Sequence, residues 1–190
     1  MRNKLINAVL FFAQNTKHCN TTKISKLLYF LDFQHFEQTG YPVIGLHYYS
    51  FDKGPVPKDF WLEVRDGIVP ADFENKLVLV RKTDDFSPKY KETEFVPKAK
   101  PDMDVFTSRE RKLLEKIAFI YKDTKASELS EITHKEDKPW INTTKNKGVN
   151  KPIDYIEAID SKSPINREQA TQCIRDYNET VKNLRLNPTK

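Results

Sequence analysis

The sequence has few of the residues that build disulfide scaffolds, phosphate loops or nucleophilic sites. Its 190 residues include two cysteines, Cys19 and Cys173, and neither has a partner at metal-ligand spacing. Its five glycines are scattered singly, so no Gly-rich loop is present to cradle a phosphate. It has no G-x-S-x-G motif and no cysteine in a reactive context. These absences argue against a disulfide-stapled protein, a P-loop protein or an α/β-hydrolase, and a reducing compartment is expected.

Long hydrophobic runs are also missing. No run approaches the roughly 18 apolar residues of a membrane span. The opening MRNKLINAVLFFAQN resembles a signal peptide in placing two cations before an apolar patch, but that patch, AVLFFA, has six residues and no small-residue cleavage site follows it. Leu5, Val9, Phe12 and Ala13 instead follow one face of a helix. We therefore expect a cytoplasmic protein that does not contact membranes.

Neither sign of charge dominates. The formal net charge is +5, with 38% hydrophobic and 31% charged residues, which is typical of a soluble globular protein. A charge of this size permits contact with nucleic acid or an acidic partner but implies neither. The length fits one domain.

Hydrophobic periodicity predicts the α+β class, as a mainly helical single domain with a small three-stranded antiparallel sheet. Helices are predicted over about 3–15, from Thr22 to Gly40, after the capping box of Thr107 and Glu110, over 125–134 and from Asn166. The predicted strands are 44–51, 75–82 and 91–98, with 84–90 as the loop between the last two.

The stretch YSFDKGPVPKDFW, residues 49–61, predicts the end of a strand and the start of a helix. Pro55 and Pro57 each fix φ and lack an N–H donor, so we expect the sheet to stop there. Pro57 suits the first position of a helix, where the missing donor costs nothing.

Candidate chemistry is confined to loose groups of polar residues. Asp32 and His35 lie three residues apart on the second helix and could form half of a metal site that His47 or His134 completes. A hydrolase or nuclease that uses Asp32, His35 and His134 is a related hypothesis. The structural alternative is a buried polar link in which Asp32 and His134 join the N-terminal helices to the C-terminal part, because a buried carboxylate needs a partner.

The capped helix and ASELSEIT (126–133) resemble the first two helices of a helix-turn-helix. A recognition helix that presents Arg, Lys, Asn or Gln should follow. The next residues, HKEDKPW (134–140), contain a proline that we expect to break the helix. A DNA-binding autoregulator is therefore an alternative, not the favoured function.

Aromatic residues are concentrated in one part of the chain, since ten of the 22 lie within residues 29–61. Most are expected to fill the core. Tyr48 and Tyr49 must point to opposite faces of their strand, so at most one of them is buried in the same layer. Tyrosine and tryptophan are favoured at binding hot spots, which predicts that part of this cluster faces a protein partner.

Several motifs occur in an order that resembles the Panacea family, the SocA-like antitoxin domain that phage-associated proteins of the GepA type share. They are KLLYFLDFQHF (26–36), TGYPVIG (39–45), GPVP (54–57), LSEITH (129–134) and KPW (138–140). The resemblance runs from about residue 4 to residue 141. We therefore expect a Panacea domain over 1–141, followed by a C-terminal loop and helix, 142–190, that pack on the same domain.

The resemblance implies an antitoxin that neutralises a toxin encoded nearby by direct protein–protein binding, without catalysis and without a cofactor. An adaptor that delivers the toxin to a cytoplasmic protease is an alternative. The positions that the family pattern marks, with an expected architectural role, are Tyr29, Asp32, Gly54, Pro55, Val56, His134 and Trp140.

The toxin-binding surface is predicted near the GPVP turn, at Tyr49, Phe51, Lys53 and Trp61. The polar stretch NTTKNKGVNKP, residues 142–152, is predicted to be a loop and is the alternative contact surface.

Overall fold

A computed structural model describes residues 1–84, 87–136 and 138–186. The helices are α1 (Arg2–Asn15), α2 (Thr21–Thr39), α3 (Lys58–Val64), α4 (Ser108–Ile120), α5 (Ala126–Glu136), α6 (Lys138–Lys147) and α7 (Arg167–Leu186). The strands are β1 (Tyr48–Phe51), β2 (Gly54–Pro57), β3 (Leu77–Asp84) and β4 (Ser87–Pro97). The predicted α+β, mainly helical class is confirmed. Over the described residues, no helix has both the length and the apolar composition needed to cross a membrane.

Helix α2 is the centre of the core. The side chain of Asn20 caps its first turn by accepting from the amide of Lys23, and Gly40 ends it in a left-handed conformation with φ of 79°. Thirteen of its 19 residues are buried, including polar ones. A helix that is buried nearly all round must have other elements on every side, so α2 is the axis around which the remaining elements pack.

Lys23 shows how this helix accommodates a buried charge. Its ammonium group donates to the carbonyls of Lys17 at 2.6 Å and Thr124 at 2.7 Å, with that of Lys122 at 3.3 Å. Burial lowers the pKa of Lys23. The side chain therefore ties the α1–α2 loop and the α4–α5 loop to the start of α2.

The predicted capping box opens α4. Thr107 and Glu110 satisfy each other's backbone amides, at 3.3 and 2.8 Å. Lys4 on α1 also donates to the Glu110 carboxylate at 2.7 Å. This buried carboxylate therefore fixes the start of α4 and holds α1 against it.

The expectation that the sheet stops at Pro55 is wrong, because GPVP is itself strand β2, paired antiparallel with β1. The expectation for Pro57 is confirmed, because β2 ends there and α3 begins at Lys58. Ser50 directs its amide and carbonyl away from β2, to residues 150–151. Ser50 faces Pro55, and Tyr48 faces Pro57, so both prolines occupy pairs that exchange no hydrogen bond across the ladder. Their missing amides therefore cost this hairpin nothing.

Strands β3 and β4 form a separate hairpin, not one sheet with β1. Leu77, Leu79 and Phe95 are buried on its inner face. The amide of Phe95 donates to the carbonyl of Cys19 at 2.9 Å, which attaches the hairpin to the α1–α2 loop. Both strands extend into the predicted loop 84–90, of which residues 85 and 86 lie outside the described ranges.

The predicted loop 142–152 is wrong in its first part, because α6 continues to Lys147. Pro139 does not break this helix, since it lies in the first turn, where no amide donor is required. Residues 150–153 then run along the free edge of β1, with the amide of Ile153 donating to the carbonyl of Tyr48 at 2.9 Å. The C-terminal part therefore extends the first hairpin.

Helix α7 packs on the end of α2 through its first half. Ala170 is buried, and the Tyr177 hydroxyl donates to the carbonyl of Ile44 at 3.1 Å. A Cβ at Gly40 would lie 2.7 Å from the Cβ of Cys173, so the glycine permits this close approach.

Candidate functional site

The carboxylate of Asp32 is enclosed in the protein and surrounded by donors. The amides of residues 44–46 donate to it, the shortest at 2.6 Å. The hydroxyl of Tyr48 donates at 3.0 Å, and that of Tyr155 lies 3.2 Å from Oδ2 and 2.7 Å from the carbonyl of Leu46. One side chain thus joins α2, the segment that leads into β1, and the 3₁₀ turn Tyr155–Ala158.

The pKa shifts in this cluster indicate a structural role for Asp32, Tyr48 and Tyr155 and not a role in proton transfer. Burial raises the pKa of Asp32, while the surrounding donors act in the opposite direction. Burial and the Asp32 charge raise the pKa of Tyr48 and of Tyr155 well above 10, so both hydroxyls stay protonated and donate. Asp32 has no exposed surface and cannot meet a substrate without unfolding its surroundings.

Among the described residues, the hydrogen bonds of Asp32 come from amides and tyrosine hydroxyls and not from a histidine, and His47 is exposed. His35 donates from Nδ1 to the carbonyl of Tyr41 at 2.7 Å, and His134 is exposed, stacked on Trp140 with ring centroids 4.4 Å apart. Within the described residues, no three His, Cys, Asp or Glu side chains could hold a metal ion. The metal and hydrolase hypotheses are therefore unsupported, and the polar link from Asp32 leads to Tyr155, not to His134.

The turn of the first hairpin is held from below by α2. Lys26 is buried and donates to the carbonyl of Lys53 at 2.6 Å. Gly54 has φ of 103°, and a Cβ there would lie 1.9 Å from the Lys26 ammonium nitrogen and 2.7 Å from the Thr133 hydroxyl. The glycine of GPVP is therefore required both by its backbone conformation and by the buried side chains beneath it.

Helix α6 holds the same hairpin from the side. The indole Nε1 of Trp140 donates to the carbonyl of Phe51 at 3.1 Å. Tyr29 on α2 supports the opposite end, with its ring 5.2 Å from that of Tyr48. The structure therefore brings most of the seven family-pattern positions around one hairpin, with Pro55 buried and Val56 half-buried in β2 itself.

The predicted binding residues lie together on the outer side of this hairpin and on α3. Tyr49 and Phe51 are two positions apart on β1 and share a face. The Phe51 ring packs edge-to-face on Trp61 at 5.7 Å, and all three rings are half-buried. We call Tyr49, Phe51 and Trp61 the aromatic face. Lys53 is exposed at the adjoining hairpin turn.

Cations flank the aromatic face. The Lys58 ammonium lies 5.1 Å from the Tyr49 ring centroid, and the Arg65 guanidinium lies 5.1 Å from that of Trp61. Such contacts hold both cations against the rings while they remain exposed. Carboxylates lie beside these cations, because Asp52 and Asp59 are exposed and Asp66 pairs with Arg65 at 3.3 Å. The surface is therefore apolar at its centre and carries charges of both signs at its edge.

The segment that resembles a helix-turn-helix contains three helices, since α6 follows α5. Helix α6 takes the place of the recognition helix, and it exposes Lys145, Asn146 and Lys147 at its end. The first turn of such a helix contacts the bases, but here it contains Pro139 and Trp140, and Trp140 donates to the carbonyl of Phe51. This arrangement does not favour DNA binding by α6.

Sequence reasoning missed two residues of the frame, Tyr155 and Lys26. Tyr155 meets Asp32 across 123 positions of the chain, and no local pattern signals such a contact. Only one sequence feature pointed to Lys26, namely that it is the first residue of the motif KLLYFLDFQHF (26–36).

A family model described as antitoxin SocA-like, Panacea domain, matches residues 24–141, which is more than half of the chain. The matched stretch includes the aromatic face and all seven family-pattern positions. No curated protein and no solved structure matches the chain.

Proposed function

Because the chain belongs to the SocA-like antitoxin family with a Panacea domain, we propose that it neutralises a toxin protein, encoded beside it, by binding that toxin directly. The observation that carries this function is the aromatic face, where the half-buried rings of Tyr49, Phe51 and Trp61 lie on one surface. Large rings with polar tips are the side chains that dominate protein–protein binding energy.

Neutralisation works by occlusion. A stable complex buries about 1,600 Å² of combined surface, and the aromatic face would form the apolar centre of such an interface. The hairpin that carries Tyr49 and Phe51 is fixed by Lys26 below and by Trp140 beside it. A surface that is already ordered loses little conformational freedom on binding, which favours affinity.

The charges at the edge of this surface indicate the kind of partner. Lys58 contacts Tyr49 and Arg65 contacts Trp61, while Asp52, Asp59 and Asp66 are exposed beside them. A toxin that carries charges of the complementary signs around an apolar pocket would be oriented for docking. These charges should therefore contribute more to specificity than to long-range attraction.

Co-expression with the product of the neighbouring gene tests this function. The wild-type chain should restore growth and form a complex, whereas Tyr49→Ala combined with Lys53→Glu should weaken binding at least about 100-fold, because an aromatic anchor and a rim charge are both lost. Isothermal titration calorimetry gives the affinity and growth on plates gives protection.

The matched control is Tyr41→Ala combined with Lys98→Glu. It removes a partly exposed tyrosine and reverses an exposed lysine elsewhere on the surface. This control should bind and protect like the wild type. Full protection by Tyr49→Ala with Lys53→Glu would show that the toxin binds another surface, and absence of any complex with the wild type would refute neutralisation by binding.

A further inference from the structure

A pocket of about 300 Å³ opens where α2 meets the end of α5, the start of α6 and the 3₁₀ turn Tyr155–Ala158. Its lining is mostly apolar, and its polar members are Gln34, Glu37, Thr133, Lys138 and Asp160. A concave, largely apolar site with a few polar groups is the usual form of a binding pocket. Its volume is at the lower end of the range for such sites, so it suits one side chain and not a nucleotide.

Aromatic rings form the floor of this pocket, and they are already held in place. The ring of Phe30 stacks on that of Tyr121 with centroids 5.1 Å apart, and the ring of Tyr29 stacks on that of Phe33 at 4.2 Å. Tyr29, Phe30 and Phe33 are also buried in the core. A ligand therefore meets a preformed apolar surface and loses little affinity to ordering it.

Glu37 gives the pocket a carboxylate without a counter-ion. It is half-buried and forms no ion pair with any residue that the structure describes, whereas Asp160 pairs with Lys138 at 2.6 Å. Burial, the larger cause, and the charge of Asp160 raise the pKa of Glu37 against the opposite effects of Lys138 and Lys116. The surroundings of Glu37 therefore lack positive charge.

Gln34 adds a further acceptor to the same wall of the pocket. It lies three residues before Glu37, on the same face of α2, and it is half-buried. Its amide oxygen can accept a hydrogen bond, as can both oxygens of Glu37. Acceptors beside aromatic rings match a guanidinium group, which is planar, carries five N–H donors and stacks on rings.

We propose that this pocket binds an arginine side chain presented by another protein. The methylene stem of the arginine packs on the aromatic floor, and its guanidinium donates to Glu37 and Gln34. The pair formed by Lys138 and Asp160 borders the pocket and stays intact. The pocket shares no residue with the aromatic face, so this interaction does not rest on toxin binding and is tested separately from it.

A titration with short peptides, followed by the amide NMR signals of the full chain, tests this site. Acetyl-Gly-Gly-Arg-Gly-Gly-amide should bind with a dissociation constant of about 1 mM, because a single anchor supplies little binding energy. The signals of residues 29–37 should shift. The same peptide with citrulline in place of arginine keeps the shape but lacks the charge, so it should bind at least about tenfold more weakly.

Variants of the pocket separate its charge from its volume. Glu37→Gln should weaken binding of the arginine peptide at least about tenfold, because the guanidinium loses its anionic acceptor. Glu74→Gln is the matched control, since it removes an exposed carboxylate outside the pocket and should leave the affinity unchanged. Ala158→Leu fills part of the pocket without changing the net charge and should abolish binding. Circular dichroism checks that each variant is folded, and Glu37→Gln decides the question if Ala158→Leu is not.

Four results would overturn the proposal. They are no shift of the signals of residues 29–37, equal affinity for the citrulline peptide, binding that Glu37→Gln does not weaken, and tighter binding of agmatine than of the arginine peptide. The last result would show that the pocket is built for a free amine and not for a side chain of another protein. Toxin is absent from all of these measurements, so their failure is distinguishable from a failure of neutralisation.

Discussion

At Gly54 the absence of a side chain makes room for two polar groups at once. The Lys26 ammonium and the Thr133 hydroxyl would both lie closer than van der Waals contact to a Cβ at this position. Gly54 also has φ of 103°, which side chains disfavour. The residue therefore lets α2 and α5 approach the hairpin turn closely enough for Lys26 to bond to the carbonyl of Lys53.

Gly54→Ala should lower the free energy of unfolding by about 3 kcal/mol, because the strained φ and the collision with Lys26 add together. Gly148→Ala is the matched control: Gly148 also has positive φ, at 88°, but a Cβ there meets nothing within 4 Å. That change should cost about 1 kcal/mol from backbone strain alone. Urea unfolding measures both, and equal losses would show that the buried contact at Gly54 is unimportant.

At the level of elements, long-range hydrogen bonds position the hairpin β1–β2. Asp32 bonds to the segment that enters the hairpin, and Lys26 bonds to its turn. Trp140 bonds to the carbonyl of Phe51 at the end of β1, and residues 150–153 pair with the outer edge of β1. These contacts come from α2, from α6 and from the segment after α6. The aromatic face is thus carried on an element whose order depends on the C-terminal part of the chain.

The sequence predicted helices and strands more accurately where neighbouring residues determine them than where distant contacts do. The capping box of Thr107 and Glu110 and the apolar periodicity of α2 both predicted real helices, since helix signals act over three or four residues. Strand β2 was missed because a proline fits a strand only where its amide would not bond to the neighbouring strand. Pro55 occupies such a position because Ser50, which faces it, bonds to residues 150–151 on the other side of β1. The sequence does not show this pairing. The expected break before Pro139 is present, since α5 ends at Glu136 and α6 begins at Lys138. Helix α6 was missed because the sequence does not show that Pro139 lies in the first turn of a new helix.

The link between α6 and the turn after Tyr155–Ala158 should depend on pH. Lys138 donates to Asp160 at 2.6 Å, and this bond, with the amide of Lys162, lowers the pKa of Asp160 to about 2. A carboxylate whose folded pKa is below its unfolded value, about 3.9, adds stability above about pH 4 and loses it as the pH falls toward about 2.

Asp160→Asn removes this contribution. The wild type should melt at a higher temperature than the variant at neutral pH, and the difference should disappear as the pH falls from about 4 to about 2. Asp59→Asn, which removes one exposed charge from α3, is the control for net charge. Circular dichroism across this range provides the melting temperatures, and a difference that is constant with pH would contradict the assigned ion pair.

In the molecule as a whole, the polar side chains that resembled a catalytic set, Asp32 and His35, form structural hydrogen bonds. Asp32 is enclosed by backbone amides and tyrosine hydroxyls, and His35 is bonded to the carbonyl of Tyr41. The side chains left at the surface around the first hairpin are half-buried rings and exposed charges that suit contact with another protein. Tyr155 could not be placed beside Asp32 from sequence patterns, since the two residues are 123 positions apart and meet only in the folded chain.

A protein that inhibits by occlusion acts stoichiometrically, because each copy stays bound to the toxin that it blocks. The test titrates toxin activity with increasing amounts of the wild-type chain, at a toxin concentration well above the dissociation constant. Activity should fall linearly and reach its minimum at a fixed ratio of one binding surface per toxin. His134→Ala should leave this ratio unchanged, because His134 is exposed and only stacks on Trp140. If a small fraction of the chain inactivated all of the toxin, or if His134→Ala lowered the rate of inactivation without weakening the complex, the protein would be acting as a catalyst on its partner.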